Sequence, residues 1–324
     1  MAGLPTDSAH LSDLSTDDMI DEYGGEVESQ FAKSSIMRNF FRIRPVRGTD
    51  TIVNRRVGRT TLKKLQAGVR PDASNTPFGK VSLTVDTVVL ARDNRSMLNE
   101  FQIDFDARME LAQDHGKEIG KFFDQAFLIQ AIKGSKLPAP DFGGTAAQNS
   151  IGPGKNTTLT TAGDENDPDK LDAAIRSIIV SMEEEEIETN ELVCFVRPTA
   201  YDVLLQHGKL VNRDYSAGNG DYAGGFIREI KGVRIEKSAR IPNTAITNHF
   251  LSNAENGNAY DVSAAEAKAA AVLLHPKSLL AGETIPLTSD IWWNREEKQW
   301  FIDSYLAFGV SPNRPDVCGC VFKA

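Results

Sequence analysis

The residues most able to do chemistry lie in two short segments in the middle of the chain. In the stretch IGPGKNTT at 151–158, Lys155 follows a glycine as in a phosphate-binding loop, but Asn149 and Asn156 stand where that loop needs glycine and Ser or Thr. The acidic run DENDPD at 164–169 has oxygen ligands of the kind that calcium prefers, yet it lacks the later glycine and the closing glutamate of an EF-hand. The patterns therefore predict a flexible loop and a capped helix start, and neither predicts a binding site.

Histidine and cysteine do not show metal-ligand spacing. The histidines are His10, His115, His207, His249 and His275, and the cysteines are Cys194, Cys318 and Cys320. No CxxC, HExxH or GxSxG motif occurs, and three cysteines cannot all pair with one another. We predict no metal, no cofactor, no catalytic residue and no enzymatic activity. We also predict free, buried thiols, and His115 on the polar side of a long helix, in solvent or in a local hydrogen bond.

The charges of the chain are segregated along the sequence. Residues 1–32 hold eight acidic residues and no Lys or Arg, whereas residues 33–80 hold twelve Lys and Arg against Asp50 and Asp72. The whole chain has a net charge of -9. An acidic tail beside a basic arm suits a chain that pairs with copies of itself, because opposite charges set the register and the rate of encounter. Contact of the basic segment with nucleic acid and a plainly solvated surface remain as alternatives.

A second charged feature is the run of four glutamates at 183–186, at the predicted C-terminus of a helix. Acidic residues there oppose the helix dipole, which indicates a compensating basic surface, for example on a neighbouring subunit. We therefore predict contacts between subunits at the basic segment and at this run. The candidates are Arg55, Arg56, Arg59, Lys63, Lys64, Arg70, Glu183, Glu184, Glu185 and Glu186.

Hydrophobic periodicity places the elements of the first half of the chain. Residues 1–20 are rich in Ser, Thr and Asp and predict a mobile arm, followed by a helix from Val27 to Ile36 after the Gly24-Gly25 break. Alternation predicts strands at 41–53 and 81–90, with a long hairpin or loop between them. Spacing of three and four residues predicts a helix over 106–133, about 40 Å long.

The sequence of the second half of the chain indicates alternating helices and strands. Asp167 and Pro168 are the N-cap and first residue of a helix, and LVCFVR at 192–197 is a strand covered on both faces. A helix after Pro198 and further strands follow. These strands are predicted at 232–242, 271–274, 291–293, 299–309 and 318–322. The fold class is therefore α+β.

The bulk composition agrees with a soluble chain of one large or two modest domains. Of the 324 residues 40% are hydrophobic and 25% are charged, which is enough apolar material for a sizeable core. No run of 18 or more apolar residues occurs, so we predict no membrane span. The sequence begins without a basic segment and a long apolar core, so we expect no secretory signal.

Five segments, in order, resemble one family of proteins. They are YGGEVESQFAKSS at 23–35, VSLTVDTVVLARD with the helix that ends FFDQAFLIQAIKG, LVCFVRPTAYDVLLQ at 192–206, IREIKGVRIEKSARIP at 227–242, and FIDSYLAFGVSPNRPDVCGCVF at 301–322. The chain is similar in these segments to the major capsid proteins of T-seven-like short-tailed phages (podoviruses), over roughly residues 20–324.

This resemblance implies a Hong Kong 97 type capsid fold with four parts. It places an N-terminal arm at 1–40 and an extended β-hairpin loop at 41–80. It places a peripheral domain at 81–164 and 285–324, built on the spine helix 106–133, and an axial domain at 165–284.

The resemblance also implies the function and the partners. Identical subunits would form hexamers and pentamers of an icosahedral phage shell around double-stranded DNA. A scaffolding protein, a portal protein at one vertex and a decoration protein are the expected partners, and the DNA is held by non-specific proximity. We expect assembly in the host bacterial cytoplasm and residence in the virion, without a membrane. The alternatives are an encapsulin-like nanocompartment shell and a nucleic-acid-binding module that uses residues 33–80.

Overall fold

The computed structural model describes residues 16–70, 73, 75–96, 107–143, 148–211 and 219–324. Helices and strands are mixed along the chain, as the α+β prediction requires. The helices are α1 (Thr16–Ser34), α2 (Met37–Phe40), α3 (Ala107–Gly134), α4 (Pro168–Glu184), α5 (Pro198–Leu205) and α6 (Gly208–Val211).

The strands form two larger sheets and two hairpins. They are β1 (Ile43–Pro45), β2 (Thr51–Val57), β3 (Phe78–Thr84), β4 (Val89–Ser96), β5 (Lys155–Thr158), β6 (Val193–Val196), β7 (Gly220–Asp221), β8 (Phe226–Ile227), β9 (Glu229–Ile230), β10 (Val233–Lys237), β11 (Ala269–Leu274), β12 (Leu279–Asn294), β13 (Gln299–Pro312) and β14 (Cys318–Phe322). One sheet has the order β1-β12-β13-β4 and the other β5-β14-β11-β6-β10-β9, while β2-β3 and β7-β8 pair separately.

Helix α3, which we call the spine helix, is 28 residues long and therefore spans about 42 Å. The predicted helix over 106–133 is confirmed for the described residues, and Asp106 lies outside them. The spine helix has both exposed and buried side chains from Met109 to Gly120 and is almost completely buried from Ala126 to Gly134. The ring of Phe123 lies 5.5 Å from that of Phe31 in α1 and 4.7 Å from that of Phe308 in β13. The spine helix thus joins α1 to the four-stranded sheet.

Helix α1, which we call the arm helix, is longer than predicted. It continues through Gly24-Gly25, so the predicted break is wrong, and residues 16–20 of the predicted mobile arm are helical. Residues 1–15 of that arm lie outside the described residues. Tyr23, Val27 and Phe31 are buried at spacings of four residues. Two glycines in a helix cost about 2 kcal/mol in helix stability. Burial of three large apolar side chains contributes more than that, at about 1.5–3 kcal/mol each.

Two glycines of the spine helix let the arm helix approach closely. A Cβ atom added to Gly116 would lie 2.6 Å from the carbonyl oxygen of Val27, and one added to Gly120 would lie 2.8 Å from Oγ of Ser34. Both distances are shorter than van der Waals contact. Glycine is therefore required here for packing, although it lowers the intrinsic stability of the helix.

The second sheet is covered by α4 and α5 on one face and by the spine helix on the other. The predicted N-cap is confirmed: Oδ1 of Asp167 accepts from the backbone N–H of Asp169 at 3.0 Å and of Lys170 at 3.4 Å, and Pro168 opens the helix. Strand β6 lies between β11 and β10 and is almost completely buried, as its continuous apolar sequence predicts.

Several strands differ from the sequence prediction. The predicted strand 81–90 is divided between β3 and β4, and the predicted strand 41–53 between β1 and β2. The predicted flexible loop at 151–158 contains β5, which pairs in parallel with β14. Strand β12 was predicted only at 291–293, but it runs from Leu279 to Asn294 and includes Pro286. Register shifts in its pairing with β13, on either side of Ile285, accommodate that proline.

Candidate assembly surface

Strands β2 and β3 and the segment between them form an extended hairpin, which we call the hairpin (residues 51–84). The strands pair from Thr51 opposite Thr84 to Val57 opposite Phe78. Beyond the last strand pair, the segment that connects the strands is held by backbone hydrogen bonds from Gly58 N–H to the Pro77 carbonyl at 2.9 Å and from Arg59 N–H to the Gln148 carbonyl at 2.6 Å. The sequence predicted a long hairpin or loop between residues 53 and 81, and the structure has a hairpin there whose strands begin at Thr51 and end at Thr84.

The hairpin exposes apolar side chains that a monomer would be expected to bury. Leu62 is 92% exposed, Leu65 75%, Phe78 68% and Val69 58%. Burial of one such side chain is worth about 1.5–3 kcal/mol. Contiguous exposed apolar residues of this kind mark a contact surface for another molecule.

The same hairpin carries six cations and no acidic residue from Arg55 to Arg70. All six are among the predicted contact residues, and five of them are exposed: Arg55, Arg59, Lys63, Lys64 and Arg70. The sixth, Arg56, is half-buried, and its Nη2 donates to the backbone carbonyls of Pro312 and Asn313. Burial lowers the pKa of Arg56. Arg56 thus fastens the hairpin to its own chain, while the other five are exposed.

The four predicted glutamates lie at the end of α4 and have different environments. Glu183 forms an ion pair with Lys231, and Glu185 forms one with Lys155. These two compensating cations belong to the same chain. Glu184 and Glu186 are exposed, and neither forms an ion pair with any residue that the structure describes.

Glu186 ends α4 in an unusual way. Its φ is 60°, the left-handed region that favours glycine. The N–H of Ile187 donates to the Met182 carbonyl at 3.1 Å, and the N–H of Glu186 donates to the Glu183 carbonyl at 2.9 Å. This is the Schellman motif, in which glycine usually occupies the position that Glu186 holds.

An open cleft of about 640 Å³ lies beside Arg59 of the hairpin. It brings Arg59 of the hairpin together with Glu185 and Glu186 of the predicted contact residues. Its other charged and polar walls include Glu188, His275, Lys277, Arg314 and Asp316, and its apolar walls include Ala139, Ile151, Ile187 and Val317. Lys63, Lys64 and Arg70 do not line it.

The base of the arm is fixed by a buried carboxylate that the sequence did not reveal. Asp124 of the spine helix is 1% exposed and accepts from Ser35 Oγ at 2.6 Å, Ile36 N–H at 3.0 Å and Met37 N–H at 3.1 Å. It also forms an ion pair with Arg240. Asp124 lies beside Phe123 in the sequence, and no local signal distinguishes it from the exposed acidic residues Asp114 and Glu118 of the same helix.

His115 was expected either in solvent or in a local hydrogen bond, but it is buried and its hydrogen bonds go to residues distant in the sequence. It is 5% exposed, with Nδ1 2.7 Å from the hydroxyl of Tyr23 and Nε2 2.8 Å from Oδ2 of Asp93. Burial raises the pKa of Tyr23 to about 12. The arm helix, the spine helix and β4 are thereby joined by one polar network.

The three cysteines are free and buried. Burial raises the pKa values of Cys194 and Cys318 to about 12, and raises that of Cys320 as well, so these free thiols are not reactive as thiolates at neutral pH. Within the described ranges no group of three or more His, Cys, Asp or Glu side chains is placed to hold a metal ion. No helix in the same ranges is both long and apolar enough to cross a bilayer.

Comparisons with known proteins identify relatives by sequence and by structure. A family model described as Gp10A-like, major capsid protein, matches residues 104–278, which is more than half of the chain. The mature capsid of bacteriophage PhiM1 contains a similar chain, with 28% identity, a TM-score of 0.78, and coverage of 90% of this chain and 87% of that one. A search of the curated proteins found no match.

Two more distant structures share the fold. The capsid of cyanophage P-SCSP1u has 16% identity, a TM-score of 0.78, and coverage of 90% of this chain and 88% of that one. The virus-like particle from Pyrococcus furiosus has 10% identity, a TM-score of 0.54, and coverage of 94% and 99%.

Proposed function

From the premise that this chain belongs to the Gp10A-like family of major capsid proteins, we propose how its copies build a shell. The chain is a shell-forming phage protein with a Hong Kong 97 type fold, and its place is the virion. The proposal concerns the finer description: a capsid of the T-seven-like, short-tailed type, without enzymatic activity, in which hexamers and pentamers form an icosahedral shell around double-stranded DNA.

The observation that carries this proposal is the exposed hairpin. Its four apolar side chains would contribute about 6–12 kcal/mol if a second copy buried them completely. Association of two proteins costs about 4–15 kcal/mol in lost freedom of motion. One hairpin contact therefore gives a weak dimer at best, whereas a closed ring in which every copy makes two such contacts is favoured by symmetry.

The domain assignment belongs to the same proposal. The arm at 1–40 has its described part in α1 and α2, and the loop at 41–80 has the hairpin as its main element. The peripheral domain at 81–164 and 285–324 contains the spine helix and most of the four-stranded sheet, and the axial domain at 165–284 contains α4 and α5. Strands β5 and β14 pair within the six-stranded sheet, so the axial sheet recruits strands from outside 165–284.

The proposed partners are those that a shell of this kind needs. They are further copies of the chain, a scaffolding protein during assembly in the host cytoplasm and a portal protein at one vertex, with a decoration protein as an optional addition. The packaged DNA is held without specific contacts. A maturation step would move subunits as rigid bodies and shift the hairpin along its neighbour.

Expression of the full chain with and without the scaffolding protein of its phage tests the proposal. Electron microscopy and mass determination should find closed shells, or hexamers and pentamers, with scaffold present. A variant in which residues 60–76 are replaced by a short glycine-rich turn should remain folded by circular dichroism but form no shells. A wild-type chain that stays monomeric in both conditions would refute the proposal.

A further inference from the structure

We infer that Arg240 makes the attachment of the arm depend on the six-stranded sheet, so that a small shift of this sheet releases the corner of the arm at residues 34–37. Arg240 follows β10 of that sheet and contacts the arm and the spine helix at the same time. We call this contact the clasp (Arg240, Asp124, Ser34 and Ser35). The inference concerns the single chain and therefore goes beyond the proposed function.

The clasp joins three parts of the chain at one buried carboxylate. Nη1 of Arg240 donates to Oδ2 of Asp124, and Nη2 of Arg240 donates to Oγ of Ser34 at 3.1 Å. Oγ of Ser35 donates to Oδ1 of Asp124 at 2.6 Å. Asp124 is 1% exposed and the side chain of Arg240 is 21% exposed, so the ion pair is largely shielded from water. One guanidinium therefore bridges the sheet, the spine helix and the end of the arm helix.

The hydrogen bonds of the Asp124 carboxylate use all of its acceptor positions. An ionised carboxylate accepts about four hydrogen bonds, two at each oxygen. Oδ1 accepts from Ser35 Oγ and from the N–H of Met37, while Oδ2 accepts from the N–H of Ile36 and from Arg240. Three of the four donors thus belong to the arm, whereas the positive charge that compensates the carboxylate comes from the sheet.

This division makes the attachment of the arm depend on the position of the sheet. A buried carboxylate without a counter-charge is strongly destabilised, because nothing then offsets the loss of its hydration. When Arg240 moves away, the balance is restored by water or another donor at Asp124. Such a donor competes with the N–H groups of Ile36 and Met37. The corner of the arm therefore loses its hydrogen bonds when the sheet withdraws its charge.

The shift that opens the clasp is small compared with what the surrounding core tolerates. Nη2 of Arg240 lies 3.1 Å from Oγ of Ser34, and a donor–acceptor distance of about 3.6 Å is no longer a hydrogen bond. Shifts of about 1–2 Å are common when packed elements change state. Ile241 is 2% exposed and belongs to the same core cluster as Phe123 and Phe127 of the spine helix. Apolar contacts do not depend on direction, so this core stays closed after a shift that opens the clasp.

The clasp acts on the corner of the arm and not on the arm helix as a whole. Tyr23, Val27 and Phe31 are buried without any contact to the residues of the clasp being needed for their burial, because they lie one to three turns before Ser34. Opening of the clasp should therefore loosen residues 34–37 while the arm helix stays on the spine helix.

Hydrogen exchange of the full-length subunit, followed by mass spectrometry, tests the clasp. Arg240→Met should speed exchange of the amides of Ile36 and Met37 at least about 100-fold, which is the effect expected when a buried ion pair loses one partner. Exchange in β6 should change much less, because the sheet itself stays folded. The matched control Arg234→Met removes an exposed arginine of β10 and should leave exchange at the corner unchanged.

Two milder changes serve if Arg240→Met does not fold. Ser34→Ala removes the contact with the arm alone, and Arg240→Lys keeps the charge but loses the planar fork that reaches two partners. Each should speed exchange at the corner by up to about tenfold, the value of one hydrogen bond. Unchanged exchange in both variants would overturn the inference.

A change at Asp124 separates the clasp from an ordinary structural contact. Asp124→Asn replaces the buried carboxylate by a neutral amide, so Arg240 no longer compensates a charge there. Addition of Arg240→Met to Asp124→Asn should then cause no further acceleration at Ile36 and Met37. Acceleration by Arg240→Met of the same size in both backgrounds would overturn the inference, and so would equal acceleration at the corner and in β6.

Discussion

Replacement of Asp124 by alanine tests whether the arm is fastened to the spine helix as the structure indicates. The carboxylate accepts three hydrogen bonds from residues 35–37 and an ion pair from Arg240, and it is 1% exposed. Removal of one partner of a buried ion pair costs about 3–5 kcal/mol, because the other charge stays buried without compensation. The orphaned N–H and O–H donors add to this cost, at about 1 kcal/mol each where water does not reach them.

We therefore expect Asp124→Ala to lower the free energy of unfolding of the unassembled subunit by at least about 4 kcal/mol. Urea unfolding followed by circular dichroism measures this quantity. Asp114→Ala is the matched control, because Asp114 is an exposed acidic residue of the same helix, and surface changes stay within about 0.5 kcal/mol.

A double variant separates the ion pair from the rest of the network. Asp124→Ala/Arg240→Met removes both charges, so it should be clearly more stable than the sum of the two single changes predicts. A single Asp124→Ala variant that unfolds within 0.5 kcal/mol of the Asp114→Ala control, by the same surface-change scale, would refute the reasoning.

Three further changes follow from other parts of the structure. Gly116→Ala should detach the arm helix, because the added methyl group would clash with the Val27 carbonyl. Limited proteolysis should then cut the arm helix. The control Gly208→Ala, which adds a methyl group in open space, should leave the digestion pattern unchanged. Glu186→Gly should raise the free energy of unfolding by about 1 kcal/mol, since glycine adopts the left-handed conformation without strain, and an unchanged or lowered value in urea unfolding would contradict this. Burial lowers the pKa of His249 and of His275 in the folded chain. As the pH falls through the ordinary histidine value of about 6.5, the unfolded chain therefore binds more protons than the folded chain. Stability should fall in that window, and His249→Phe should reduce the slope; a slope unchanged from wild type would exclude a contribution of His249.

The elements that could be predicted from the sequence are those whose signals are local. Helix α4 has its N-cap, its proline and its apolar stripe within a few residues of one another, and the structure reproduces its start. The spine helix and β6 were likewise predicted from periodicity and from a continuous apolar run. In each case the side chains that decide the conformation belong to the element itself.

The elements that were missed depend on distant parts of the chain. Strand β12 continues past Pro286 because β13 pairs with it on both sides of the register shifts. The arm helix passes through Gly24-Gly25 because the spine helix buries Tyr23 and Val27. Asp124 and His115 lie on the polar side of a helical pattern, yet both become buried when residues far away in the sequence supply their hydrogen-bond partners.

The candidate assembly surface shows the same division between local and distant information. The basic and the acidic segments can be read from the sequence, but the inward direction of Arg56 depends on carbonyl groups at 312 and 313. Only the folded chain shows that Lys231 and Lys155 form ion pairs with Glu183 and Glu185. Glu186 and Glu188 line a cleft and form no ion pair with the residues that the structure describes. In a chain that assembles with identical copies, one sequence supplies both sides of each contact. When the fold leaves charges of one sign unpaired in one segment, we therefore expect a segment of opposite charge elsewhere in the same sequence.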